Sequence, residues 1–499
     1  VERKRPARTA SRQQETALMS TTISPAAIAD IANPRAARLL NGPVLATLLA
    51  LAVPNIVVML AQASANFLES YYVGLLGTDA LAGAALVFPL VMLMQTMSAG
   101  GIGGGISSAI ARAIGAGKHE EAEAIALHAL ILAIVLGLIF GVAAILGGRS
   151  LYAAMGGTGG ALHAALGYSN AIFAGAVFLW LLNAQASILR GTGNMIMPAA
   201  VLTGGVLVLL VMSPLLIFGY GPVPPLGVRG AGLSLVVYYV LGSIVLGIRL
   251  IGGGRGFRIG FHHRIQARLF RSILGVGAPA VVNNLTVNLA VVLGTSMIAS
   301  LGSQALAGFG LGIRLEYLQI PIVFGVGTGM VAMVGMNVGA GQFERARRVA
   351  LTGACIAAVA TEIVGGAAAV FPHAWLHLFT RDEGAIAVGV RYLHVVAPAY
   401  GFLGFGLALY FASQGAKRMG WAMAAGFGRL AVVAGLGGAV MRGSRTEQAN
   451  LTPFLGVLVL ALVVYAVINL VPWLAPNVRS QAPGRPGTVR PGLPDAPSA

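Results

Sequence analysis

Three glutamates stand inside long apolar stretches of this chain: Glu69, Glu316 and Glu362. The other acids, of fifteen in all, fall in polar segments or at their edges. A carboxylate at the centre of a bilayer costs about 2.5–3.5 kcal/mol on insertion scales, so such residues are rare and usually functional. Removal from water disfavours the charged form of a carboxyl group, which lets it take up and release protons near neutral pH. A proton and a cation then become alternative occupants of one site.

Glu69 has the best surroundings for that chemistry. Gln62, Asn66 and Glu69 are spaced four and three apart, so a helix places them on one face. One carboxylate with amide neighbours suits alternate binding of H⁺ and an organic cation; a protonated Glu tying two helices together is the plainer reading. Glu316 follows Arg314 by two residues, a spacing at which helical side chains do not face each other. Arg314 holds its proton, so each of the two needs a partner elsewhere or a watery cavity. Lining of a cavity and structural gating are equally open for this pair. Glu362 has only Thr361 beside it, which favours a structural role, with Arg429 as a candidate counter-ion. Asn284 and Asn288 share a face at i,i+4, beside Asn283 and Thr286. Asn183, with Gln185 and Ser187, and Gln414 add amides near the ends of apolar stretches. Such amides either line a cavity or hydrogen-bond a neighbouring helix.

Other motifs are weaker. The run Gly100-Gly101-Ile102-Gly103-Gly104-Gly105 lacks the Gly-Lys-Ser/Thr of a phosphate loop and reads as a site of helix packing or hinging. His373 and His377 have metal-pair spacing but no evident third ligand. They flank Trp375, which fits an aromatic belt. No metal and no cofactor is expected. No nucleophile with its base is visible either, so a membrane-embedded enzyme is only a remote alternative.

The elements that must hold these residues are membrane helices. Hydrophobic residues make up 57% of the 499 and charged residues 9%, with mean hydropathy +0.84. A soluble domain carries roughly 25% charged residues. Twelve apolar stretches, each long enough to cross a bilayer, follow one another from residue 45 to 475. The predicted fold is an all-α polytopic membrane protein with twelve transmembrane helices in two pseudo-symmetric six-helix lobes. The doubling is explicit. Leu76-Gly77-Thr78-Asp79-Ala80-Leu81-Ala82-Gly83 returns as Leu301-Gly302-Ser303-Gln304-Ala305-Leu306-Ala307-Gly308. Pro54 answers Pro279 at the same offset, and Gly115-Ala116-Gly117 answers Gly339-Ala340-Gly341 one residue closer. Six spans per half make the repeat parallel, a transporter signature. The chemistry is not doubled, because Gly294 stands where the repeat would place a second Glu69.

The expected boundaries are a disordered basic tail over 1–42, an N-lobe over 43–251, a linker over 252–272, a C-lobe over 273–476 and a disordered tail over 477–499. A short amphipathic helix is expected in the linker. No secretory signal is read near the start. Twenty-four of the 32 Lys and Arg residues fall in the tails and loops of one side, six fall on the other side, and Arg314 and Arg429 fall within spans. That bias places both tails in the cytoplasm of a cell whose inner (plasma) membrane holds the protein. It also accounts for the net charge of +17 without a nucleic-acid partner. The lone Cys355 excludes a disulfide within one chain.

With these motifs in order, the chain resembles the multidrug and toxin extrusion (MATE) transporters. The stretch Asn66-Phe67-Leu68-Glu69-Ser70 through Val73-Gly74 to Leu76-Gly77 is similar to the family's Val-Asp-Thr…Gly…Leu-Gly pattern, with Glu69 at the acidic position. Leu189-Arg190-Gly191-Thr192-Gly193 with Pro198 looks like its Leu-Arg-Gly-x-Gly…Pro turn. Pro214 to Gly219, then Leu226-Gly227-Val228-Arg229-Gly230-Ala231, looks like the fifth span and its exit. The Gly-x-Gly turns at 115–117 and 339–341 match those after spans two and eight. The resemblance implies two lobes around a central cleft, and export of organic, often cationic, compounds or drugs in exchange for H⁺ or Na⁺; a monomer is expected. Departures favour H⁺. Leu209 and Ser213 replace the amide and acid that often precede the fifth-span proline, Val287 occupies the span-seven acid position, and residues 391–413 contain no acid. A lipid or lipid-linked oligosaccharide flippase of the related superfamily is the second alternative; it would favour a strongly cationic cavity.

Overall fold

The computed structural model describes residues 34–253, 257–260, 262–443 and 447–474. Among these, every regular element is helical, apart from an isolated bridge between Tyr220 and Val223. The helices are α1 (Pro34–Asn41), α2 (Val44–Gly74), α3 (Thr78–Gln95), α4 (Gly103–Gly115), α5 (His119–Ala154), α6 (Gly159–Ala174), α7 (Ala176–Gly191), α8 (Ile196–Phe218) and α9 (Val228–Ile251) in the first half. The second half has α10 (Ala267–Ala299), α11 (Ser303–Gly339), α12 (Phe343–Val370), α13 (Pro372–Leu376), α14 (Glu383–Val395), α15 (Tyr400–Gly415), α16 (Met419–Val432), α17 (Gly438–Gly443) and α18 (Glu447–Leu474). Eleven segments are long and apolar enough to cross a membrane singly. The pair α6–α7, bent by 48°, makes the twelfth.

The doubling seen in the sequence recurs in backbone detail. Gly77 and Gly302 sit at φ 109° and 106°, each just before the helix that opens the second span of its half. Only glycine adopts that conformation without strain, so both copies of the repeated stretch turn the chain the same way. The fourth span of each half is also interrupted at matching places. Gly175 divides α6 from α7, and a 3₁₀ turn, Ala397–Ala399, divides α14 from α15.

Departures from the sequence reading are local. The tail over 1–42 lies outside the described residues up to 33, but 34–41 form α1 rather than a disordered segment. Leu39 is buried there, its carbonyl accepts a 3.2 Å bond from Asn337 Nδ2, and Arg345 donates to the Gly42 carbonyl. The C-terminal tail over 477–499 lies outside the described residues. Within the described part of the linker no separate amphipathic helix forms; α10 begins directly at Ala267. His128 fixes that start by accepting from the Gln266 N–H at 2.8 Å, so its other ring nitrogen donates to the Ala124 carbonyl at 2.7 Å.

Apolar side chains gain little from leaving lipid for protein, so membrane helices associate through close packing of small residues. Here such packing joins the lobes in the tail-side halves of the first two spans of each lobe. A Cβ on Gly329 would meet Leu51, one on Gly325 would meet Ile56, and one on Gly101 would meet Val281. At the spans' ends the approach is backbone to backbone and reciprocal. A Cβ on Gly115 would run into the Met336 carbonyl, and one on Gly339 into the Arg112 carbonyl. The buried core reflects this. One cluster runs through the N-lobe into Met330, Met333, Ala350 and Leu409 of the C-lobe, while Phe309, Tyr392 and Phe454 belong to a separate cluster. The protein is therefore closed between its lobes on the side of α1.

A valine in place of Gly115 is expected to force this closure apart. Ser108, fully buried beneath it, then becomes reachable. In a Cys355→Ser background, Ser108→Cys is expected to resist a water-soluble maleimide and to react severalfold faster once Gly115→Val is added.

Candidate functional site

The expected site residues separate into two groups in space. Gln62, Asn66 and Glu69 line one face of α2 and border a cavity of ≈ 630 Å³. Asn183 from α7 and Gln414 from α15 border the same cavity. This volume is that of a site for a drug-sized molecule. Glu316, Arg314, Asn284 and Asn288 are not among its lining residues.

Glu69 is 7% exposed, and its Oε1 accepts a 2.9 Å hydrogen bond from the Tyr168 hydroxyl of α6. The two halves of the bent fourth span thus reach the site at different points, α6 through Tyr168 and α7 through Asn183. Asn183 Nδ2 donates to Ser98 Oγ at 2.8 Å and to Gln95 Oε1 at 3.4 Å. Ser98 lies in a π-helical segment, Thr96–Ile102, which joins α3 to α4. Such segments are frequent at functional sites because the wider turn re-aims its side chains and backbone. It contains part of the glycine run of residues 100–105, which therefore serves helix packing, as the sequence suggested. Gln414 Nε2 crosses from the C-lobe to donate to the Gly100 carbonyl at 3.2 Å.

Beneath Gln414 a polar latch spans the lobes. Ser108 of α4 donates to the Gln414 carbonyl, and Arg112 donates to Ser108 Oγ and, at 3.2 Å, to the Gly415 carbonyl. Lys417, in the turn after α15, is held below the usual lysine value by burial first and by nearby Arg112 second. Gln414 thus connects the cavity floor to the closure.

The remaining candidates sit elsewhere. Glu316 pairs with Arg429 of α16, Oε1 to guanidinium at 3.3 Å, and its Oε2 accepts from the Tyr392 hydroxyl at 3.4 Å. Arg429 is therefore not the counter-ion of Glu362. Arg314 turns away from Glu316 and stacks 5.7 Å from the Phe379 ring centroid, a cation–π contact. Asn288 Nδ2 donates to the Asn284 carbonyl of its own helix at 2.8 Å. Glu362 accepts from the Gly401 N–H at 2.8 Å. That N–H lies in the first turn of α15, where helical donors lack intrahelical partners, so Glu362 acts as a cap supplied by another helix. Glu362→Ala is expected to cost about 1–2 kcal/mol of stability. Thermal unfolding in detergent checks this, and Glu362→Gln, which keeps an accepting oxygen, is expected to lose less.

Sequence reasoning missed Tyr168, Gln95, Tyr238, Tyr239 and Arg190, all of which line the cavity. The tyrosines lie on other spans, and no linear spacing relates them to Glu69. By its place at a span end Arg190 reads as one of the topogenic loop cations, whereas it ends α7 facing inward. Its place beside Gly191, in a turn of recognisable pattern, was the available signal. Among the lining residues, Glu69 is the single acid and Arg190 the single Lys or Arg.

The family model described as MatE matches residues 54–215 and 279–437, one match in each half. Among curated relatives, the chain is 28% identical over 367 residues to an FAD transporter of Shewanella oneidensis, covering 73% of this chain and 81% of that one. It is 24% identical to a probable multidrug resistance protein NorM of Thermotoga maritima, over 74% of this chain and 79% of that one. Among solved structures, an outward-facing multidrug resistance MATE family transporter superposes with TM-score 0.78 at 25% identity, covering 87% and 96% of the two chains. A MOP superfamily transporter of Pyrococcus furiosus superposes with TM-score 0.79 at 24% identity over the same shares.

Proposed function

The chain belongs to the MatE family of multidrug efflux transporters, and from that premise we propose that it is a secondary antiporter exporting organic compounds, cations among them, in exchange for H⁺. The observation that carries this is the composition of the cavity: among its described lining residues one carboxylate, Glu69, and one basic group, Arg190, stand in a drug-sized chamber otherwise walled by apolar, amide and hydroxyl groups. Ionised Glu69 attracts an organic cation. Protonated Glu69 is neutral and lets the cation go. The Tyr168 hydroxyl holds the carboxyl group in place in both states. H⁺ is favoured over Na⁺ because Leu209 borders the cavity where an amide ligand would stand in the family pattern, and Ser213 bonds Ser234 at 2.9 Å. A hard cation such as Na⁺ needs several converging oxygens.

Alternating access supplies the vectorial step. The lobes meet on the tail side through the Gly115 and Gly339 contacts and the Ser108–Arg112 latch. Rocking about the glycine-rich π segment and the bend at Gly175 would open that side and close the other. The Lys and Arg distribution supports cytoplasmic tails in an inner (plasma) membrane, so this closed state faces outward.

A second reading has one observation in its favour. Arg190 gives the cavity a single cation, and a relative named an FAD transporter is among the matches. A planar ring among the tyrosines with a phosphate on Arg190 would suit such a substrate. One arginine is thin support for a pyrophosphate-binding flippase, which needs more positive charge. Efflux of ethidium from proteoliposomes under separate H⁺ and Na⁺ gradients tests the primary reading. Ethidium moved by an H⁺ gradient alone supports it. Movement driven only by Na⁺ removes proton coupling, and FAD transport without ethidium transport favours the second reading.

A further inference from the structure

A second groove, of ≈ 580 Å³, lies far from the cleft, on the C-lobe between α13 and α14. Its polar lining is His373 of α13 and His377 just after it, with Glu383, Arg391 and His394 from α14. The imidazoles of His373 and His377 lie 5.5 Å apart, centroid to centroid. All five polar side chains are exposed. Four of them can donate hydrogen bonds, and one is a permanent cation. The only acid, Glu383, is eight residues before Arg391, about 12 Å along the helix axis at ~1.5 Å per residue.

The level of this groove in the membrane follows from helix length. Glu383 to Gly415 is a span of 33 residues, about 50 Å long, against a hydrocarbon core of ~30 Å. His394 precedes Gly415 by 21 residues, about 31 Å, so it and Arg391 stand at the headgroup boundary opposite the tails. The face that carries them continues into the core as apolar surface. Arg391, His394, Pro398 and Phe402 recur at helical spacing and all are exposed. On adjacent α12, Val359, Ile363 and Val370 form a parallel exposed stripe that ends beside His373. An exposed arginine over an apolar stripe is costly in hydrocarbon unless its charge reaches the interface and meets an anion there.

We infer that this groove binds the phosphate of an anionic phospholipid, with Arg391 and the histidines on the headgroup and the acyl chains along the Pro398–Phe402 and Val359–Val370 stripes. Guanidinium and phosphate match in geometry as well as charge. The apolar stripes favour a lipid over a free phosphate, which would use only the polar end.

Native mass spectrometry of the full chain with dioleoylphosphatidylglycerol tests the assignment. The expected result is retained lipid adducts, at least fivefold fewer in Arg391→Gln/His394→Gln, and unchanged or more numerous in Glu383→Gln. Dioleoylphosphatidylcholine is expected to bind several times more weakly, and millimolar inorganic phosphate to displace nothing. Equal adducts in the double variant, equal binding of the two lipids, or loss of adducts in Glu383→Gln each overturns the proposal. Displacement by inorganic phosphate also overturns it, assigning the groove to a soluble anion. The phosphate and phosphatidylcholine arms use the unaltered protein and do not depend on any variant folding.

Discussion

Glu69→Gln protein in liposomes is expected to show H⁺-driven efflux no faster than protein-free vesicles. The glutamine is nearly isosteric and its side-chain oxygen can still accept from Tyr168, so the fold and the cavity survive. What it cannot do is gain or lose a proton, and no other acid is among the described residues that border the cavity. Glu69→Asp keeps the chemistry but shortens the reach to Tyr168, so partial activity is expected. Tyr168→Phe removes one hydrogen bond of 2.9 Å and keeps the carboxyl group. At about 1 kcal/mol, such a bond corresponds to a roughly fivefold slower rate rather than a loss. Native-rate, pH-dependent efflux by Glu69→Gln would remove this residue from the coupling mechanism.

The largest effect on stability is expected at Arg429. Its guanidinium is 8% exposed and lies 3.3 Å from Glu316, itself 16% exposed. Arg429→Met leaves Glu316 as an unpaired acid inside the C-lobe, at a cost of about 3–5 kcal/mol. The double variant Glu316→Leu/Arg429→Met removes both charges, so it is expected to be more stable than Arg429→Met alone. Titration with denaturing detergent, followed by tryptophan fluorescence, measures both. Additive losses in the double variant would show that the two groups do not act as a pair.

The architecture was largely legible from the sequence because it rests on linear features. Apolar length sets the span, the repeated Leu-Gly-x-x-Ala-Leu-Ala-Gly sets the doubling, and Gly77 and Gly302 act through local backbone geometry. The grouping of Gln62, Asn66 and Glu69 was legible for the same reason, since one helix face depends only on spacing. Arg314 and Glu316 show where this fails. Their spacing indicated that they do not face each other, but it could not say that one would meet Phe379 and the other Arg429. Arg190 shows the opposite failure. A cation at a span end reads as topogenic until the fold turns it inward.

The sequence by itself determined that this chain is a doubled, twelve-span membrane protein with one asymmetric acid in its first span. These properties follow from composition, periodicity and repetition, each encoded over neighbouring residues. Only the tertiary structure decided which polar groups share a chamber, that Tyr168 serves Glu69, and that the lobes meet on the tail side. Those facts depend on contacts such as Gly115 with Met336 and Gln414 with Gly100, between residues hundreds apart in the chain. In lipid, moreover, hydrophobicity marks which segments span but not how they pair. Their pairing is set by the fit of small residues and by a few polar bonds, which appear only once the helices are placed together.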